Sequence, residues 1–78
     1  QQREVDFVVI RDDKPWFLVE VKLQDQNISP TLKHYQEQTN ASFAFQVVVN
    51  ADYADADCFA KPRGPIVVPA RTFLSQLL

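Results

Sequence analysis

The sequence predicts an α/β domain built on a mixed β-sheet. Two runs of strand-forming residues flank a polar, proline-ended turn, and a strand–helix–strand succession comes after them. The length of 78 residues, 46% hydrophobic and 23% charged, fits one small globular domain over 1–78 and is too apolar for a disordered tail. A domain of this size buries only roughly 60–65% of the surface its unfolded chain exposes. Its core is thin, and a missing element is felt throughout.

The first strand is expected from Glu4 to Ile10, where the residues are β-branched, aromatic or acidic, and the polar stretch Arg11-Asp12-Asp13-Lys14-Pro15 reads as the turn of a hairpin. Trp16-Phe17-Leu18-Val19-Glu20-Val21-Lys22 is a second strand, apolar on both faces at its start as a covered central strand requires. Ser29-Pro30 then opens a helix: the serine oxygen caps free amides, and proline at the first helical position loses no hydrogen bond. The helix is expected to run to about Thr39 with a narrow apolar stripe (Leu32, Tyr35, Thr39) and to stop at Asn40 in a left-handed cap. Phe43–Val49 is a third strand, and the order strand, helix, strand implies a right-handed parallel crossover. Asn50–Pro65, with Asp52, Asp55, Asp57 and then Lys61-Pro62-Arg63-Gly64-Pro65, reads as an irregular surface excursion. Ile66-Val67-Val68 is a short strand closed by Pro69, and Ala70–Leu78 a final helix with Phe73, Leu74, Leu77 and Leu78 as its apolar side.

Composition narrows the function classes. A net charge of −2 lacks the basic excess that gives a domain strong non-specific affinity for nucleic acid. The single cysteine, Cys58, forms no internal disulfide and has no Cys/His cluster beside it, so a reducing cytoplasm is the expected compartment. No apolar run approaches the roughly 18–20 residues that span a bilayer, and the N-terminal sequence is no signal peptide, so no membrane partner is expected. The chain has no methionine and is expected to be a piece of a longer protein.

Asp6, Glu20 and Lys22 each place a charge inside or at the end of an apolar strand. A carboxylate taken from water without a partner costs several kcal/mol, so strands this apolar carry acids only where something compensates them. A divalent cation is one such group. Side chains alternate along a strand, so Glu20 and Lys22 share a face; a three-residue loop Asp12-Asp13-Lys14 sets Asp6 across from Glu20, whereas a two-residue loop opposes Asp6 to Val19. With the Val21 backbone carbonyl, two converging carboxylates suit Mg2+ or Mn2+. Such an ion acidifies a bound water and offsets charge on a scissile phosphate, while Lys22 orients the water and stabilises the transition state.

Asp6, a hairpin, Glu20-Val21-Lys22 closing an apolar strand, and then a helix and another strand resemble the core of the PD-(D/E)XK nuclease superfamily, the restriction-endonuclease-like fold. More narrowly, Arg3-Glu4-Val5-Asp6-Phe7-Val8 with Val19-Glu20-Val21-Lys22, Lys33 and Val67-Val68-Pro69 resembles the C-terminal domain of a family of prokaryotic AAA+ ATPases, over nearly the whole chain. The resemblance implies that Asp6 and Glu20 bind metal and Lys22 assists the water. The substrate is then nucleic acid, DNA in the first instance, and the ATPase domain of the parent chain is a partner, with ATP bound only there. Some superfamily members use a glutamine and a tyrosine of the helix, for which Gln36 and Tyr35 stand here. Members also have an upstream helix and a first strand that this chain begins too late to contain. The expected fold is a restriction-endonuclease-like core lacking its N-terminal helix and strand, with a sheet edge open to pairing with a second copy.

Plainer readings stand beside these. Val-Glu-Val-Lys is common at strand ends, where Glu20 pairs with a neighbouring cation and Lys22 snorkels to water. Asp52, Asp55 and Asp57 lack the glycine and terminal glutamate of an EF-hand and read as a solvated loop. His34 reads as a surface histidine, Cys58 and Trp16-Phe17 as packing, and Lys61, Arg63 and Arg71 as solvation. Two functions follow: a metal-dependent nuclease, or a binding or regulatory module of the ATPase that keeps the fold without cutting.

Overall fold

The computed structural model describes residues 6–24, 27–53 and 57–77. The elements run β1 (Phe7–Arg11), β2 (Lys14–Lys22), α1 (Pro30–Thr39), β3 (Phe43–Val48), β4 (Ile66–Pro69) and α2 (Ala70–Ser75). Four strands form a mixed sheet in the order β1-β2-β3-β4; β1 pairs antiparallel with β2, and β2, β3 and β4 are mutually parallel.

The hairpin turns not through the three-residue loop that would by itself set Asp6 across from Glu20 but through the shorter of the two loops weighed above, the two residues Asp12 and Asp13. Both adopt left-handed backbone, φ 54° and 63°, which matches the strand twist in a tight hairpin and which aspartate tolerates better than most residues. Arg11 pairs with Lys14 and Ile10 with Pro15, but Val9 pairs with Phe17, so Trp16 is an extra residue in β2. The bulge shifts the ladder by one: Val8 faces Leu18 and Phe7 faces Val19. Pro15 is tolerated because the pairing of β2 with β3 begins only at Phe17.

β3 lies between two parallel neighbours and is buried at all six positions. Alternation sorts the core into two layers. On one face Phe17, Val19, Phe43, Phe45, Val47 and Val68 pack with Phe73 of α2; on the other Leu18 and Ala44 pack with Leu32 and Tyr35 of α1. α1 forms as its sequence directs: Ser29 Oγ accepts the Leu32 N–H at 3.3 Å, and Asn40, φ 63°, returns its N–H to the Gln36 carbonyl.

Two expectations are corrected. α2 ends at Ser75 and buries Thr72 and Phe73, while Leu74 and Leu77 are exposed; Leu78 lies outside the described residues. The helix is less than two turns long, too short for an apolar stripe to settle on the sheet, so of its apolar side chains Phe73, over the aromatic layer, goes in beside Thr72 while Leu74 stays out. The connection from β3 to β4 is irregular as expected, yet it is more than a surface excursion. Cys58 is buried within the aromatic layer and Phe59 packs against it, with ring centroids 5.1 Å from Phe43 and Phe45. These two residues cover part of the sheet face that a crossover helix ordinarily covers.

Candidate active site

Glu20 and Lys22 project from the last turns of the β2 zigzag onto the α1 face, since they share parity with Leu18. Glu20 is 8% exposed. Its Oε2 lies 3.0 Å from the Lys22 ammonium, whose stem reaches out to solvent, and its Oε1 is buried with no hydrogen-bond partner among the described residues. A carboxylate in this state is half satisfied, which is costly in an apolar layer.

Asp6 stands just before β1 and is exposed. Its N–H bonds the Val19 carbonyl at 2.9 Å, and its Oδ2 accepts the Val21 N–H at 2.5 Å. The backbone N–H and C=O of a strand residue point to the same side, so the Val21 carbonyl is directed to this edge as well. Asp6 therefore reaches the backbone of the residue between Glu20 and Lys22. The bulge at Trp16 makes this so: it cancels the one-residue offset of the short turn and carries the N-terminal end of β1 to the level of the Glu20-Val21-Lys22 segment.

The residues available here, two hard carboxylates and a backbone carbonyl with one buried oxygen unsatisfied, fit a hard divalent cation. Among the described residues no group of three or more His, Cys, Asp and Glu that could hold a metal ion forms, either at these strand ends or elsewhere. Asp52 is exposed in its loop, and Asp55 lies outside the described residues. Arg63 is exposed and donates to the carbonyls of Asp57 and Cys58 at 3.3 and 3.5 Å, and His34 is exposed on α1 beside Tyr35.

Gln36 does not join the site. Its Nε2 donates to the carbonyls of Ala41 and Arg63 at 3.1 and 2.8 Å, which ties the C-terminal half of α1 to the opposite end of β3 from the position level with Glu20. Tyr35 packs on the Leu18–Leu32–Ala44 layer. The helix runs back along the sheet, so only its N-terminal end lies near Glu20.

No family model, curated protein or solved structure matches the chain.

One residue of the neighbourhood escaped the sequence reading. Gln46 is fully buried in β3, directly beside Glu20 in the parallel ladder. A single polar residue within Phe-Ala-Phe-Gln-Val-Val was the available signal.

Proposed function

We propose that this chain is a restriction-endonuclease-like domain that hydrolyses phosphodiester bonds of nucleic acid, DNA first, with Mg2+ or Mn2+, as an appendage of an ATPase. The observation that carries this reading is the half-satisfied Glu20 carboxylate, paired with Lys22 and bordered by Asp6 at the same strand ends. Asp6, Glu20 and the Val21 carbonyl would hold the ion, which supplies charge neutralisation at the phosphate and an acidified water. Glu20 keeps its open oxygen shielded from bulk solvent, where an electrostatic contact is stronger than in water. Lys22 is long and partly exposed, so its ammonium can move from Glu20 to the oxygens of an incoming phosphate without leaving an unpaired buried cation. Asp6, anchored through one oxygen on the Val21 amide, keeps the other for a ligand.

Cleavage of plasmid and branched DNA with Mg2+ or Mn2+ tests this, beside Lys22→Ala and Glu20→Gln variants of unchanged fold. Metal-dependent cutting that falls by about 10²-fold or more in both supports the assignment; cutting that is absent, or unchanged in both, rejects it.

A second reading, a binding module for the ATPase domain or a second copy, is favoured by one specific feature. β1 is an edge strand with Phe7, Val8 and Ile10 all exposed, and its outer backbone is a template for an added strand.

A further inference from the structure

We propose that Gln46 is a positioning residue that couples the loop ahead of α1 to an ion held at Glu20; this rests on the metal-dependent reading above. Gln46 and Glu20 are partners in the β2–β3 ladder, on strands about 4.8 Å apart, and their parity puts both side chains on the α1 face. The Gln46 carboxamide spends both ends on one segment. Its Oε1 accepts the Ser29 N–H at 2.8 Å and its Nε2 donates to the Asn27 carbonyl at 2.7 Å. Ser29 in turn caps α1 through the Leu32 N–H. One buried side chain thus latches the backbone on either side of Ile28, and with it the first turn of α1, from the ladder position paired with Glu20, whose Oε1 has no hydrogen-bond partner among the described residues.

A methionine would fill the same length, but it would leave the Ser29 N–H and the Asn27 carbonyl without this partner. The glutamine is therefore explained by what it holds and not by the volume it occupies. Groups that fix the surroundings of a metal-binding carboxylate change metal affinity about 10–100-fold. Coupling between sites is also reciprocal: a latch that steadies the ion site is itself steadied when the ion binds.

The test follows amide hydrogen exchange at Ser29 in this 78-residue chain with and without Mg2+, and Mn2+ affinity in the wild type, Gln46→Met and Glu20→Gln. Mg2+ is expected to slow Ser29 exchange in the wild type and to have no effect in Glu20→Gln, and Gln46→Met is expected to bind Mn2+ about tenfold more weakly. Ser29 exchange that does not change in wild-type protein saturated with Mg2+ overturns the proposal, and needs no variant to fold. Mn2+ affinity in a folded Gln46→Met equal to that of the wild type overturns it too, and leaves the metal reading standing. A wild type with no Mn2+ binding that Glu20→Gln removes overturns both. A purely structural glutamine lowers the melting temperature of Gln46→Met but leaves Ser29 exchange insensitive to Mg2+.

Discussion

Glu20 is buried, has one oxygen without a partner among the described residues, and is paired through the other with a lysine that reaches water. An unsatisfied buried polar group costs about 1–3 kcal/mol, and a partly exposed lysine that gives up this carboxylate costs little. Glu20→Met is therefore expected to raise the melting temperature by roughly 4–8 °C per kcal/mol recovered while removing metal-dependent cleavage. Thermal unfolding beside the cleavage assay checks this, and a lowered melting temperature shows that the fold relies on the acid. Cys58 makes a different prediction. Burial pushes its thiol pKa above the ordinary 9.0, against a smaller downward pull from Arg63 and with a further small upward push from Asp57. A raised folded-state pKa means that the neutral thiol's contribution is complete below the unfolded value and is lost as pH climbs through the folded value. Stability is expected to decline from 9.0 upward, and Cys58→Ala should flatten that part of a urea-midpoint profile against pH. Alkylation of Cys58 is expected to be far slower in the folded chain than in urea, because the thiolate is the nucleophile and the folded site disfavours it.

The hairpin separates what local chemistry encodes from what it does not. Asp12 and Asp13 hold positive φ without glycine, and an Asn-Gly pair suits such a turn better. Asp12→Asn with Asp13→Gly is expected to stabilise the fold by about 0.5–1 kcal/mol, read as a raised midpoint in urea. The turn itself was visible in sequence, as were β2, β3 and the whole of α1, because Ser29-Pro30 and Asn40 are terminal signals whose physics is local. Glu20 and Lys22 stood out for the same kind of reason, as charges in an apolar strand. The bulge at Trp16 was not legible: an extra residue in a ladder depends on how Trp16 and Phe17 settle against Phe59 and the aromatic layer, contacts that span some forty residues. α2 misled because Leu74 and Leu77 suggest a stripe that six helical residues cannot lay down. Gln46 showed a signal, and its partners Asn27 and Ser29 became clear only from the fold.

At the scale of the molecule, a sheet covered by α1 on one face and by α2 with the Cys58–Phe59 segment on the other concentrates its stability in one aromatic layer. Phe45 is fully buried there and touches the rings of Phe17, Phe43, Phe59 and Phe73. A domain of 78 residues has a total stability of about 4–12 kcal/mol, and Phe45→Ala costs about 3–5 kcal/mol. The variant is expected to be largely unfolded or to melt at least 12 °C lower, as circular dichroism would show. The exposed outer edge of β1 sets a further expectation: association should increase with concentration in sedimentation experiments and weaken in Ile10→Lys, whose charge lies on that edge. The Trp16 bulge has a last consequence, for comparison between chains. Thirteen residues separate Asp6 from Glu20, and one of them adds nothing to the span because the ladder absorbs it. A chain with twelve intervening residues and a regular hairpin would superimpose on this one, so an alignment anchored on the acids needs a one-position gap at Trp16.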